Sequence, residues 1–336
     1  MPYKSTNYYL KTILLKLYGF ISEWVPGIDD YPKIKPDTVK ICDRKRLNKL
    51  DLFYHTFSYF HHPNDLAQHL KMKDGIAQHR IESKLDHCSP FYPSYYGLVC
   101  FNSYLKTGEE LFLLDAKAQL DTLLKLGTET EDHFILYYNI PLPKFLLKGR
   151  WYAGITQATM LSLALRRNQQ NPDERLELVI HKLVKSMMVP GAEGGILINT
   201  PEGLPWIEEY PGAKPSYVLN GYIFCIISLL EYEVLYSNIQ ISHFIDRLLD
   251  SLVRSFPYYQ RGKYLKYSRL YPTLSNIEYQ VFISGSSNIY ICLQGWKYSV
   301  NWQNCTIRAS AGWHSMNFFR LLHRLFKINR PESNKR

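Results

Sequence analysis

Between Pro93 and Leu252 the sequence repeats helical stretches joined by short polar breaks, and the stretches are of two kinds. Tyr95, Leu98, Val99 and Leu105 lie on a first helix, Leu111 to Leu126 makes a second after the Gly108 break, and Trp151 to Arg167 a third. Leu176, Val179, Ile180, Leu183, Val184, Met187 and Met188 follow the three-four spacing of one buried face in a fourth. The fifth, Val218 to Leu235, is apolar almost all round, and the sixth returns to one stripe at Ile241, Phe244, Ile245, Leu248, Leu249 and Leu252. Alternation of fully apolar and one-faced helices predicts inner and outer helices. The expected fold is therefore mainly α, an α/α toroid or incomplete helical barrel, with stacked solenoid hairpins as the other arrangement giving this pattern. A toroid places the loops of its inner helices around a concave mouth where a polymer can lie.

Upstream, Leu10 to Val25 reads as an amphipathic helix, too short and too charged at Lys11, Lys16 and Glu23 to span a bilayer. Pro26, Gly27, Pro32 and Pro36 then break the chain, and Leu52 to Phe60 is a strand or a short helix. The expected division is an N-terminal helix and irregular or β-containing region over residues 1–73, then a catalytic toroid over 74–336. Cys42, Cys88, Cys100, Cys225, Cys292 and Cys305 show no CxxC pair and no zinc spacing, which predicts free thiols, no metal and a reducing compartment. The expected location is cytoplasmic, with peripheral membrane contact through Leu10 to Val25 as a variant; no integral membrane segment is expected, and a homodimer is left open.

A formal charge of +10 favours a polyanionic partner, whether nucleic acid, an anionic surface or an acidic glycan. The 27 tyrosines and 6 tryptophans exceed what a core needs and suit a sugar cleft, although packing is the default use of each. Three loops gather polar and aromatic side chains. The first, Lys148 to Gln157, carries Arg150, Trp151, Tyr152 and Gln157. The second, Gly191 to Gly221, has six glycines and four prolines, so its backbone is committed to turns, and it holds Glu208, Glu209, Tyr210, Lys214, Tyr217 and Asn220. Long structured loops of this kind carry function more often than they merely connect. The third, Phe256 to Tyr267, mixes tyrosines with Arg261, Lys263 and Lys266, and Arg269 follows. Nucleic-acid binding uses such a mixture too, but the adjacent glutamates of the second loop argue against it.

The order GRWYAGITQA, AEGG, WIEEYPGAKPSYVLNGYIF and PYYQRG, with Tyr267 and Tyr279 beyond, resembles the C-terminal domain of the D-glucuronyl C5-epimerases. Upstream, FYPSYYGLVCFNSYLKTGEE is similar to that family's YNPxxIAxYGL stretch, so the resemblance runs from about Asp74 to Tyr279. It implies inversion of D-glucuronate to L-iduronate within a heparan- or heparosan-type chain, with no cofactor and no metal. It also implies that Glu209, Tyr210, Tyr267 and Tyr279 are catalytic. Arg150, Trp151, Tyr152, Gln157, Glu208, Lys214, Tyr217, Asn220, Arg261 and Arg269 are expected to bind the substrate, an acidic polysaccharide and not a nucleic acid. Removing the C5 hydrogen builds charge beside a carboxylate, so inversion needs that charge stabilised and needs one group on each face of the sugar. A free phenol titrates near 10, so a tyrosine base requires cationic or hydrogen-bonding neighbours.

Two departures stand out. Where the family reads YHxxHxxQL, this chain reads Tyr279-Gln280-Val281-Phe282-Ile283-Ser284-Gly285-Ser286, and Ala158 replaces the glycine after the family's GMAQ. Missing histidines predict an altered substrate, or a silent glycan-binding module. A uronan lyase, which shares the first proton removal and then expels the C4 substituent, is the other reading.

Overall fold

In the computed structural model, the residues described are 63–67, 70–78, 89–261, 264–270, 300–301 and 306–307. Leu10 to Val25, Leu52 to Phe60 and Tyr279 lie outside them. Six long helices run α1 Phe91–Thr107, α2 Glu110–Leu126, α3 Gly154–Gln170, α4 Glu174–Met187, α5 Leu219–Tyr236 and α6 Ile239–Ser255. Each pair is a hairpin with a tight turn. Gly108 closes α1 at φ 75°, a left-handed conformation that glycine adopts without steric cost, and its amide donates to the Tyr104 carbonyl. Asp173 caps α4 by accepting from the Leu176 amide, and Asn238 caps α6 by accepting from the Gln240 and Ile241 amides.

The alternation of helix types corresponds to position. α3 packs against α1 and α5, so α1, α3 and α5 form the inner row, while α2, α4 and α6 each lie against their own inner partner. Every residue of α3 from Gly154 to Arg166 and of α5 from Leu219 to Tyr232 is buried, whereas α4 and α6 bury one stripe each. The three hairpins form the arc of an α/α toroid. α5 is long and apolar enough to cross a membrane by length and composition, yet 78% of it is buried within the fold, where it is the central core helix. Deep between α3 and α5, Arg166 makes a two-pronged ion pair with Glu231 at 2.8 and 3.1 Å and donates to the Ser162 carbonyl, which fixes the register of the two inner helices.

The third helix begins at Gly154, three residues later than its apolar run suggests. Trp151 and Tyr152 instead pair antiparallel with Tyr137 and Tyr138, and the Trp151 and Tyr138 rings stack at 4.2 Å. Aromatic residues favour a pleated strand when cross-strand rings can meet. Upstream, the hairpin Lys71–Lys73 with Ile76–Gln78 is tied to α2 by Gln119, which accepts from the Ala77 amide and donates to the Gly75 carbonyl. The division expected after residue 73 falls in the turn of this hairpin.

Because each hairpin runs up and back, the short turns share one end of the arc and the long connections share the other. Residues 127–153, 188–218, 256–261 and 264–270 thus converge at the N-terminal ends of α3 and α5.

Candidate active site

At that end the strand Pro205–Ile207 runs into Glu208-Glu209-Tyr210, and two neighbours fix the backbone. The Glu208 amide donates to the Ile196 carbonyl at 2.8 Å, and the Glu208 carbonyl accepts from the Gly154 amide at 3.0 Å. The second contact requires Gly154, since a β-carbon there would lie 2.8 Å from that carbonyl oxygen. A polar turn is thereby pinned to the start of α3.

The two glutamates are both buried but differently employed. Glu208 closes its own loop, accepting from the Ser216 hydroxyl through Oε2 and from the Tyr217 amide at 2.7 Å through Oε1. This clasp holds Tyr217 at φ 48°, a strained setting for a residue with a side chain. The ring of Tyr217 packs edge-on against Trp206, and its carbonyl accepts from the buried Tyr259 hydroxyl at 2.6 Å. Glu209 points at the first turn of α5. Its Oε1 accepts from the Tyr267 hydroxyl at 3.2 Å, and its buried Oε2 lies against Gly221 without a partner of hydrogen-bond geometry.

Burial pushes the Glu209 carboxyl up to about 7; the Tyr210 and Tyr267 phenols and the Gly221 amide pull it down, while the charge of Glu208 pushes it further up. Burial likewise raises Glu208 to about 7, against its bonds to Ser216 and Tyr217. A carboxyl poised near neutrality between two phenols can accept or release a proton at little cost. Tyr210 is half-buried, its ring stacked on Phe145 at 3.8 Å and tilted against Trp151 at 5.9 Å. Phe145 is held in turn by Gly212, whose close approach leaves a β-carbon only 2.1 Å from the Phe145 carbonyl oxygen.

The structure thus brings together Glu209, Tyr210, Tyr267, Glu208, Tyr217 and Trp151, with Asn220 buried in the first turn of α5. Lys214 is exposed on the loop between Tyr210 and Tyr217. Other predicted residues are committed elsewhere. Gln157 is fully buried; it accepts from the Leu136 amide and donates to the Phe134 carbonyl and the Ser186 hydroxyl. Tyr152 is buried and donates to the Ser186 carbonyl. Arg150 lies 3.6 Å over the Tyr137 ring and donates to Thr128. Arg269 makes a two-pronged pair with Glu202 at 3.0 and 3.1 Å and covers the Tyr258 ring, which holds the Glu202 carboxyl down at about 2. The backbone of Arg261 lies in the strand Gln260–Arg261, and Tyr279 lies outside the described residues. Phe145, Ser216, Gly221 and Tyr259 were not anticipated as parts of the site. Ser216, Gly221 and Tyr259 sit inside the motifs that flagged the loops, whereas Phe145, within Leu142 to Leu147, carries no signal separating it from ordinary packing.

Residues 129–284 match the family described as D-glucuronyl C5-epimerase C-terminus. The chain is 27% identical over 172 residues to an uncharacterized protein of Methanocaldococcus jannaschii, covering 50% of this chain and 55% of that protein. It is 28% identical over 92 residues to the D-glucuronyl C5-epimerase of Caenorhabditis elegans, covering 27% of this chain and 15% of that protein. The chain therefore spans about half the length of the first relative and a small part of the second. Among solved structures, a family 76 α-mannanase of Bacteroides thetaiotaomicron aligns with a TM-score of 0.44 and 14% identity over 72% of this chain and 60% of that one.

Proposed function

We propose, from the match of residues 129–284 to the D-glucuronyl C5-epimerase C-terminal family, that this chain inverts C5 of uronate residues within an acidic polysaccharide, taking D-glucuronate to L-iduronate in a heparosan-type chain. The observation that carries the reading is the buried Glu209 carboxyl set between the Tyr210 and Tyr267 phenols at the start of a core helix. In this reading one phenol takes the C5 proton as phenolate, the other returns a proton from the opposite face, and Glu209 Oε1 holds the proton shared with Tyr267 Oη. An ordinary glutamate at 4.5 lies far below a phenol near 10. Burial lifts Glu209 to about 7, which makes its carboxylate a stronger base than an ordinary glutamate and lowers the cost of taking a proton from a neighbouring phenol.

Substrate chemistry is supported by the rim. Lys144 and Lys148 are exposed on the connection that precedes α3 and Lys214 on the second loop, and Lys144 lies 5.3 Å over the Phe145 ring on which Tyr210 stacks. A lysine over that aromatic face, with further exposed lysines on the same loops, suits a polymer with a carboxylate on alternate sugars.

The test is incubation of heparosan and its N-sulfated form in heavy water, with deuterium at C5 read by NMR. Exchange at C5 with chain length intact is expected. Shortened chains with an absorbing unsaturated uronate would replace this reading by a lyase, and binding without exchange on any uronan would replace it by a silent glycan-binding module.

A further inference from the structure

Gly221 is the third residue of α5 and buried, in a helix whose other buried positions carry side chains except at this one point. Glycine there costs about 1 kcal/mol relative to alanine in helix propensity alone. The helix would gain from a side chain, and the structure shows what prevents it. A β-carbon built on Gly221 would meet Glu209 Oε2 at 2.4 Å, Glu209 Cβ at 2.9 Å and Glu209 Cδ at 3.1 Å. All three of its nearest neighbours belong to one side chain. In an α-helix each β-carbon leans toward the N-terminus, so the missing methyl would project into the loop end, where the carboxylate lies.

From this geometry we infer that Gly221 is a positioning residue: its absent side chain is the seat that brings the Glu209 carboxylate onto the positive end of α5 and within reach of the Tyr267 hydroxyl. The inference rests on the proposed epimerase reading only for its effect on turnover; the seat itself is a property of the free protein. The first turn of a helix carries partial positive charge from amides that lack intrahelical partners. The Leu219 amide of that turn donates to the Tyr267 carbonyl at 3.2 Å, so the same turn also anchors the backbone of the residue whose phenol bonds Glu209. One turn of helix thus holds both members of the contact, the carboxylate by an open volume and the tyrosine by its backbone. The groups facing the carboxylate are Tyr210, Tyr267, Glu208, the Gly221 amide and, from α5, Cys225. Displacing the carboxylate while it stays inside the clasped loop removes the Tyr267 and Gly221 contributions, both of which lower it, and leaves burial, the adjacent Tyr210 and Glu208.

The experiment is Gly221→Ala in the full chain, with two readouts. Titration of the Glu209 side-chain carboxyl by NMR in protein carrying labelled glutamate, without any glycan, reads the seat directly. Wild type is expected near 7 and the variant higher. Deuterium exchange at C5 reads its consequence, expected to fall at least tenfold in kcat with KM little changed. If wild type shows no exchange on any uronan, the epimerase reading fails while the titration still decides the seat. If the carboxyl titrates identically in both proteins, the inference is overturned whatever the activity. Adding Gly221→Ala to Glu209→Gln is expected to lower exchange no further, and an additive loss would overturn the inference, since Gly221 would then act by another route. Should Gly221→Ala alone fail to fold, Glu209→Gly/Gly221→Ala, which removes Oε2, Cβ and Cδ from the contact, is expected to fold; its failure would likewise overturn the inference.

Discussion

Replacing Glu209 by glutamine is expected to make the protein more stable at alkaline pH and no more stable at acid pH. Burial raises this carboxyl from the ordinary 4.5 to about 7, so the folded chain keeps a proton that the unfolded chain releases. Its contribution to stability is fully present below pH 4.5, declines as pH rises, and is exhausted once pH passes the folded value near 7. At about 1.4 kcal/mol per unit, that interval corresponds to about 3 kcal/mol lost to ionisation by pH 8. Glutamine has no charge to desolvate and matches the shape, so the variant avoids the loss. Glu208, also raised to about 7, is present in both proteins, and its repulsion of an ionised Glu209 acts in the same direction. Urea unfolding followed by circular dichroism, run on both proteins from about pH 4 to pH 8.5, measures the difference. The midpoints are expected to coincide near pH 4 and to separate by about 1 M in favour of the variant at pH 8, for a slope of a few kcal/mol per molar. A difference that is constant with pH, or that grows toward acid, would refute the assignment of a neutral, burial-raised carboxyl. The same variant is expected to lose C5 exchange, so stability and turnover should move in opposite directions.

Tyr210→Phe and Tyr267→Phe each remove one phenol while keeping the ring, and each is expected to slow C5 exchange by about 10² to 10⁴, the usual range for a group that moves a proton; equal rates for variant and wild type would release that tyrosine from its role. Phe145→Leu keeps most of the buried volume but removes the 3.8 Å stack under Tyr210. The stack is worth about 0.5 to 1.5 kcal/mol, so thermal unfolding should shift by only a few degrees while kcat for exchange falls. Arg166→Met leaves Glu231 buried without its partner and is expected to destabilise the arc by about 3 to 5 kcal/mol in urea, whereas Arg166→Met/Glu231→Leu should recover most of that loss.

The parts of this architecture that could be read from the sequence are those set by neighbours three or four residues apart. Ile241, Phe244, Ile245, Leu248 and Leu249 face the core because helical geometry puts them on one side. The all-apolar run beginning at Val218 can be satisfied only by protein on every side, and α5 is the inner helix that supplies it. What escaped is set by residues far apart in the chain. The start of α3 moved to Gly154 because Trp151 found Tyr138 across a strand pair, and no local pattern at Trp151 encodes that partner. Gln157, a polar side chain beside a motif, looks available in the sequence, yet its amide is fully engaged by two backbone groups and Ser186. A lone polar residue on an inner helix has the same sequence appearance whether it faces a cleft or closes a loop.

Arg269 and Glu209 show the same limit from opposite sides. The nearest acid to Arg269 within reach is Glu202, distant in sequence, so a cation that composition offers to a uronate is already paired in the fold. Glu209, by contrast, stands in sequence next to another glutamate, which suggests a shared solvated surface. The backbone turns them apart: Glu208 is bound back onto Ser216 and Tyr217, and Glu209 is left against a glycine at a helix start. Adjacent identical residues therefore divide into a loop clasp and a proton-active carboxyl, and what decides between them is which one faces the only position in the first turn of α5 that has no side chain.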